Sequence, residues 1–332
     1  MKPLIGVVPG DPNGVGPELT AKLLAADDVR DNARVVIIGD RRVVRMGAAV
    51  AGVTLDTAVT GDIKAADFTK DGYPLFDVPA IEPGKVTPGR ATADAGWAAY
   101  LSLQAAVALA KAGDIDGFCF APLNKQALKM GGSPHGDEHV LFAELLGHTG
   151  PCCEHNVLDN LWTVRATSHI PLKDVARHIT LARVIEITRL AHDTLGNVGV
   201  THPRIGVCAL NPHGGDGGLF GREEIDVIAP AVQQATQQGI DVQGPFPADI
   251  VFVRAGAGDF DAVVTMFHDQ GQIAMKLMGF GKGITVSGGL PVPIATPASG
   301  TAFDIAGRGI ANAEGLRQAF FMVCRMANLK RG

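Results

Sequence analysis

Ala262-Val263-Val264-Thr265-Met266-Phe267-His268-Asp269-Gln270-Gly271 is apolar and β-branched over its first part, then stops at a histidine, a carboxylate and a glycine. Such a run reads as a buried strand that delivers polar side chains at its carboxyl end. Two further segments share the layout. Leu161–Ala166 leads into Thr167-Ser168-His169, and Ile205–Leu210 leads into Asn211-Pro212-His213. Working outward, Leu4–Val8, Arg34–Ile38 and Gly117–Phe120 are also candidate strands. Helical patterns lie between them, at Pro17–Ala25, Asp94–Ala112, Leu172–Leu195, Glu223–Gln238 and Glu314–Asn328. Alternating strands and helices predict an α/β protein. Asp94 is the expected N-cap of its helix, and that helix is apolar around most of its surface, as a buried helix is. Residues 40–93, richer in Pro, Gly and Asp, read as a loop-rich insertion, and Ile250–Val253 reads as a short strand.

Composition narrows the function classes. Of 332 residues, 46% are hydrophobic and 19% charged, so a sizeable core forms and disorder is excluded. Aromatics are 5%, which leaves Val, Ile, Leu and Ala to fill a core of the kind found in parallel sheets covered on both faces. A net charge of −5 offers no cationic footprint for a nucleic-acid backbone. No apolar run reaches the length of a bilayer span. The opening Met1-Lys2-Pro3-Leu4-Ile5-Gly6-Val7-Val8-Pro9-Gly10 turns too soon into a glycine-rich loop for a secretion signal. The cysteines (119, 152, 153, 208 and 324) form no C-x-x-C pair and read as reduced thiols in a cytoplasmic compartment.

A lone loop histidine is usually an ordinary polar residue; three at equivalent strand ends suggest more. His169, His213 and His268 could converge on one metal and leave positions open for substrate. Asp249, Asp269 and Lys276 lie close by in sequence. A metal polarises a bound hydroxyl, and any of the three could accept the proton released as hydride leaves an alcohol. G-x-G-x-x-G and G-x-x-x-x-G-K-[ST] are both absent. Small-residue loops instead run through 10–18 and 299–312, the first with Pro17 suited to the start of a helix.

These segments carry a resemblance. The motifs GDPNGVGPE (10–18), APLNKQAL (121–128), ATSHIPLKDV (166–175), LNPHGGDGGLFGREE (210–224), GPFPAD (244–249), MFHDQG (266–271), KLMGFGKG (276–283) and GTAFDIAGRG (300–309) are together similar to the 4-hydroxythreonine-4-phosphate dehydrogenase (PdxA) family over nearly the whole chain. The resemblance implies the two-lobed isocitrate/isopropylmalate dehydrogenase fold with a central cleft. The first lobe would hold 1–135 and 295–332, and the second, 136–294, the metal ligands and dimer contacts. It implies a homodimer with shared active sites and a divalent metal (zinc, with cobalt, manganese or magnesium as alternatives) on His169, His213 and His268, drawn from both subunits. It implies oxidation by NAD or NADP of a secondary alcohol β to a carboxylate, followed by loss of CO2. Gly300, Thr301, Asp304 and Asn312 would hold the cofactor. Lys276 matches a substrate-contacting lysine.

The chain departs from the family at several positions. The turn usually read Gly-His-Thr-Glu is Gly136-Asp137-Glu138-His139 here. A family Asn falls on Thr285, a family Arg on Ile294, and a family His on Ser299. Losing an arginine and gaining two carboxylates removes attraction for a phosphate. Asp137, Glu138, Thr285 and Ile294 are therefore the expected substrate contacts, and an unphosphorylated hydroxy acid is one expected substrate. A terephthalate-type cis-dihydrodiol carboxylate is the alternative. A metal hydrolase and a non-catalytic metal- or ligand-binding relative are the readings from other classes.

Overall fold

The computed structural model describes residues 2–68, 72–279 and 281–331. Residues 69–71, within the 40–93 stretch, and Phe280, within the 276–283 motif, lie outside them. The strands are β1 (Leu4–Val8), β2 (Arg34–Gly39), β3 (Thr57–Thr60), β4 (Tyr73–Asp77), β5 (Gly117–Phe120), β6 (Cys153–Leu158), β7 (Leu161–Arg165), β8 (Ile205–Cys208), β9 (Val242–Phe246), β10 (Ala262–Thr265), β11 (Ile284–Gly288) and β12 (Ile294–Pro297). The α-helices are α1 (Gly16–Leu24), α2 (Asp27–Asn32), α3 (Arg41–Ala51), α4 (Ala93–Lys111), α5 (Lys125–Met130), α6 (Glu138–Leu146), α7 (Val175–His178), α8 (Leu181–Asn197), α9 (Ala229–Gln237), α10 (Ala248–Gly256), α11 (His268–Gly279) and α12 (Glu314–Arg331). The chain divides into two compact units, 1–149 with 284–332, and 150–283.

The first unit carries strands in the order β3-β4-β2-β1-β5-β12-β11, parallel except β11, which runs against β12. Every residue of β1 is buried, as a strand covered on both faces requires. Alternation assigns the faces. Phe118 and Phe120 enter a core with Ala99, Leu103 and Val107 of α4 and with Phe142 of α6. Gly117 and Cys119 point the other way, where a Cβ on Gly117 would lie 3.0 Å from Val323 of α12. Phe142 stacks edge-on against both phenylalanines, at centroid distances of 5.5 and 5.4 Å. That packing ties α6 to the first unit, so the unit extends to 149 rather than ending at 135, and β11 joins it from 284.

The second unit is ordered β6-β7-β10-β8-β9, with β7, β10, β8 and β9 parallel and β6 antiparallel to β7. Val251, Phe252 and Ala255 of α10 pack on Leu161, Cys208 and Val263.

Several expectations need correction. Residues 250–253 are helical, inside α10: their β-branched character suggested a strand, but the core takes 251, 252 and 255, a helical spacing. The stretch 172–195 is broken, because Thr180 caps a new helix by accepting from Arg183 N at 3.2 Å. The cap of α4 is Thr92, which accepts from Ala95 N at 3.3 Å, and not Asp94. Residues 40–93 hold α3, β3 and β4, so they are more regular than expected.

Candidate functional site

In the second unit the carboxyl ends of β7 and β10 are joined rung by rung. Ala166 N donates to Thr265 O at 2.8 Å, and Thr167 donates to Met266 O through N at 3.1 Å and through Oγ1 at 2.7 Å. His169 and His268 each follow two residues later, and their ring centroids lie 5.8 Å apart. Gln270 fixes the start of α11 by accepting from Met266 N at 2.8 Å while donating to Ala209 O, beyond β8, at 2.9 Å. His268 Nδ1 meets Asp269 Oδ1 at 2.7 Å. With Nδ1–H donating to that carboxylate, the lone pair sits on Nε2, the arrangement typical of a metal-binding imidazole.

Arg165 supports the same edge from beneath. Its buried guanidinium donates to Ser168 Oγ at 2.9 Å and Asn156 Oδ1 at 2.6 Å, and it pairs with Glu154. Gln272 of α11 donates to the same Asn156 oxygen at 2.5 Å. One cation thus ties β6, β7 and the residue before His169 together, with α11 joined through Gln272.

His213 opens a different construction. Residues 213–217 all have positive φ, which favours glycine, and Gly214, Gly215 and Gly217 occupy three of those positions. Buried Glu224 holds the entrance to this turn, accepting from Leu210 N at 2.8 Å, Asn211 N at 2.7 Å and Asn211 Nδ2 at 2.9 Å. The His213 ring lies against Phe220. Among the described residues, no three His, Cys, Asp or Glu side chains gather as a metal cage. One chain brings His169 and His268 together and leaves His213 outside such a group.

Of the candidate bases, Asp249 sits in the first turn of α10 and is exposed. Asp269 is exposed, and Lys276 is exposed on α11, two turns beyond His268. In the first unit Asp137 caps α6, accepting from His139 N at 3.0 Å, and Lys125 Nζ stands 3.9 Å from Asp137 and 4.0 Å from Glu138. Thr285 is part-exposed on β11, opposite Thr296. Ile294, the position where the family arginine is expected to fall, has its side chain wholly buried in the α4-facing core.

Gly300 and Asp304 are exposed, and Asn312 Oδ1 accepts from Glu314 N at 2.9 Å at the start of α12. Thr301 is buried, and its carbonyl accepts from Val15 N at 3.0 Å. β1 sits between β2 and β5, where the strand order reverses, the position at which open α/β sheets bind ligands. Asp11 follows β1 there. It is buried, and burial pushes its carboxyl up to about 6 against the hydrogen bond from Asn13 N.

Sequence reasoning missed Arg165, Glu224 and Glu18. Arg165 lies inside an apolar strand, and Glu224 and Glu18 sit beside glycine-rich turns. Arg165 stands four residues before His169 and Glu224 eleven after His213, and such a buried charge is a weak signal until its partners are seen. The thiols are free and chemically quiet, with burial raising Cys153 and Cys324 to about 12.

Comparison with known proteins places these features in a family. Residues 31–323 match the family described as pyridoxal phosphate biosynthetic protein PdxA. The chain is 50% identical over 331 residues to a Pseudomonas aeruginosa protein provisionally named 4-hydroxythreonine-4-phosphate dehydrogenase 2, covering 99% of this chain and 98% of that one. It is 41% identical to the D-threonate 4-phosphate dehydrogenase of Cupriavidus necator, covering 96% and 95%. The Klebsiella pneumoniae 4-hydroxythreonine-4-phosphate dehydrogenase structure superposes with a TM-score of 0.85 at 34% identity, covering 98% of each chain. A terephthalate 1,2-cis-dihydrodiol dehydrogenase from Burkholderia xenovorans gives 0.67 at 29%, again covering 98% of each. A β-decarboxylating dehydrogenase from Thermococcus kodakarensis shares the fold, with a TM-score of 0.52 at 15% identity over 97% of this chain and 82% of that one. The α/β architecture is therefore one shared with a β-decarboxylating dehydrogenase and built without the usual dinucleotide fingerprint, and the chain belongs to the PdxA family.

Proposed function

We propose that this chain is a metal-dependent, NAD- or NADP-linked dehydrogenase that oxidises a secondary alcohol β to the carboxylate of a short hydroxy acid and releases CO2 from the β-keto product. The observation that carries the reading is the adjacency of His169 and His268, 5.8 Å apart at ends bolted together by the Thr167–Met266 contacts. Their donor set fits a borderline divalent ion such as zinc, with cobalt, manganese or magnesium as alternatives. His213 of a second chain would complete the set in a homodimer. Bound there, the metal would lower the pKa of the substrate hydroxyl and stabilise the enolate charge that develops as CO2 leaves. Asp249, Asp269 and Lys276 are the groups able to take the hydroxyl proton as hydride passes to the nicotinamide. The 300–312 loop, with Gly300, Thr301, Asp304 and Asn312, would seat the dinucleotide.

The names of the relatives favour a four-carbon hydroxy acid phosphate. The chain's own residues favour an unphosphorylated acid as a second reading: position 294 is core isoleucine, and Lys125 is already flanked by Asp137 and Glu138.

One experiment separates these readings. Metal-loaded protein is offered NAD or NADP with phosphorylated and unphosphorylated hydroxy acids and carboxylated cis-diols, and reduced cofactor is followed by absorbance. Turnover of at least one hydroxy acid is expected, and the kcat/KM ratio between each acid and its phosphate decides the anion. If neither cofactor binds and no substrate is turned over, the dehydrogenase reading is wrong. Replacing His169 or His268 by Ala should cut metal affinity by at least the ~10–100-fold typical of losing a mere outer-shell partner. Metal content after dialysis, read by elemental analysis, checks this.

A further inference from the structure

The glycine-rich segment 10–18 and the start of α1 hold the 300–312 loop at both of its ends. At one end Val15 N donates to Thr301 O at 3.0 Å. The approach is close enough that a Cβ on Gly14 would lie 2.9 Å from Thr301 Cβ. At the other end Glu18, 2% exposed, accepts from Ala311 N at 2.7 Å. Lys22, one turn along α1, donates to Glu18 Oε1 at 2.8 Å, Gly309 O at 2.9 Å and Ala311 O at 2.7 Å. Lys22 therefore satisfies two carbonyls of an irregular loop and neutralises a buried carboxylate at once. Asn13 extends the frame: its buried side chain accepts from Thr87 N at 2.7 Å and donates to Arg90 O at 2.8 Å and Thr92 Oγ1 at 3.0 Å.

We propose that Glu18 and Lys22 are positioning residues for the dinucleotide, acting through the 309–311 backbone that they clasp and touching no cofactor atom themselves. The proposal rests on the reading of 300–312 as the cofactor loop. An irregular loop has few bonds of its own, so its ordered fraction depends on such external ties. A ligand that needs the ordered loop binds more weakly in proportion as that fraction falls. The loss of cofactor affinity should then be set by the fall in that ordered fraction.

The test is Lys22→Met, with Lys22→Arg as the conservative rescue. Lys22 is part-exposed at the end of its helix, and circular dichroism confirms that both variants fold. Two quantities are read: hydrogen exchange of the 301–311 amides without cofactor, and the dissociation constants of NADH and NADPH by fluorescence. Lys22→Met should speed exchange, and the dissociation constant should rise in inverse proportion to the ordered fraction that the exchange gives, about tenfold where that fraction falls to about a tenth. The KM for the dinucleotide should rise with kcat and metal content unchanged, and Lys22→Arg should recover most of both. Unchanged exchange in Lys22→Met overturns the clasp. A clear fall in the ordered fraction with unchanged binding overturns its role toward the cofactor. If the unmodified protein binds neither NADH nor NADPH, the cofactor-loop reading fails, and the exchange data still judge the clasp separately.

Discussion

Asp11 holds a carboxyl where water does not reach it. Its Oδ1 accepts from Asn13 N at 2.8 Å, while Oδ2 has no hydrogen-bond partner among the described residues. Burial is the larger effect and raises the group to about 6. Asp40, also buried, goes the other way. Burial alone would raise it, but the guanidinium of Arg42 and the backbone N–H groups of Arg42, Ala80 and Ile81 outweigh that and keep it below the usual carboxylate range. The consequences for pH are opposite in sign. A raised folded-state value means that the fold binds this proton more tightly than the unfolded chain does. The stability from Asp11 is thus present below about pH 4 and lost as pH rises through about 6. Asp11→Asn keeps an oxygen for Asn13 N and cannot ionise. Its unfolding free energy relative to the unmodified protein should climb between pH 4 and 6, by up to about 3 kcal/mol. Urea unfolding at both ends of that range checks this, and a difference that stays flat with pH would refute it.

The segment from 211 to 228 acts as one element: a left-handed turn carrying His213, followed by a π-helical stretch at Glu224–Ile228. π-turns within helices often occur where a functional side chain is placed. Here the stretch begins at the residue whose carboxylate binds the backbone entering the turn. Glu224→Ala would strand the amides of Leu210 and Asn211, at about 1–3 kcal/mol for each buried donor left unmet. A loss of about 2–4 kcal/mol is expected by chemical unfolding, with a smaller one for Glu224→Gln, which keeps one accepting oxygen. A cost for Glu224→Ala below about 0.5 kcal/mol would show that the turn holds itself. The same segment marks how far the sequence was legible. β1, β5, β7 and β10 are buried on both faces, so their apolar runs announced them, and the histidines beyond β7 and β10 came together because those strands are neighbours. Ile250–Val253 misled because a short β-branched run fits strand and helix alike, and packing decided between them. Asp11, Glu18, Arg165 and Glu224 carry their meaning in partners distant along the chain or in burial, which no local pattern encodes.

At the scale of the whole molecule, two features of the second unit point to a second chain. Among the described residues His213 lies outside any three-ligand group, so a metal site that uses all three histidines would draw on a partner. The same unit leaves large apolar side chains in water: Ile250 and Val253 on α10, and Ile273, Leu277 and Met278 on α11, with Leu277 83% and Val253 70% exposed. The two helices approach at their ends, where a Cβ on Gly256 would lie 3.7 Å from Met278 Cε. Ile273 and Leu277 are one turn apart, so they form a stripe on the helix that begins with His268 and carries Lys276. Exposed stripes of this kind mark association surfaces, and a covered α11 would hold Lys276 beside a neighbouring chain. Leu277→Glu places a charge in that stripe without touching the core. If the chain forms the proposed homodimer, this variant should be monomeric by light scattering, and metal retention and turnover should fall with it, because His213 of one chain would no longer reach His169 and His268 of the other. Val59→Glu, at an exposed apolar position of β3 in the other unit, should change neither. An unaltered mass for Leu277→Glu would exclude α11 from the interface. Monomers that keep full metal and activity would show that one chain completes the site alone.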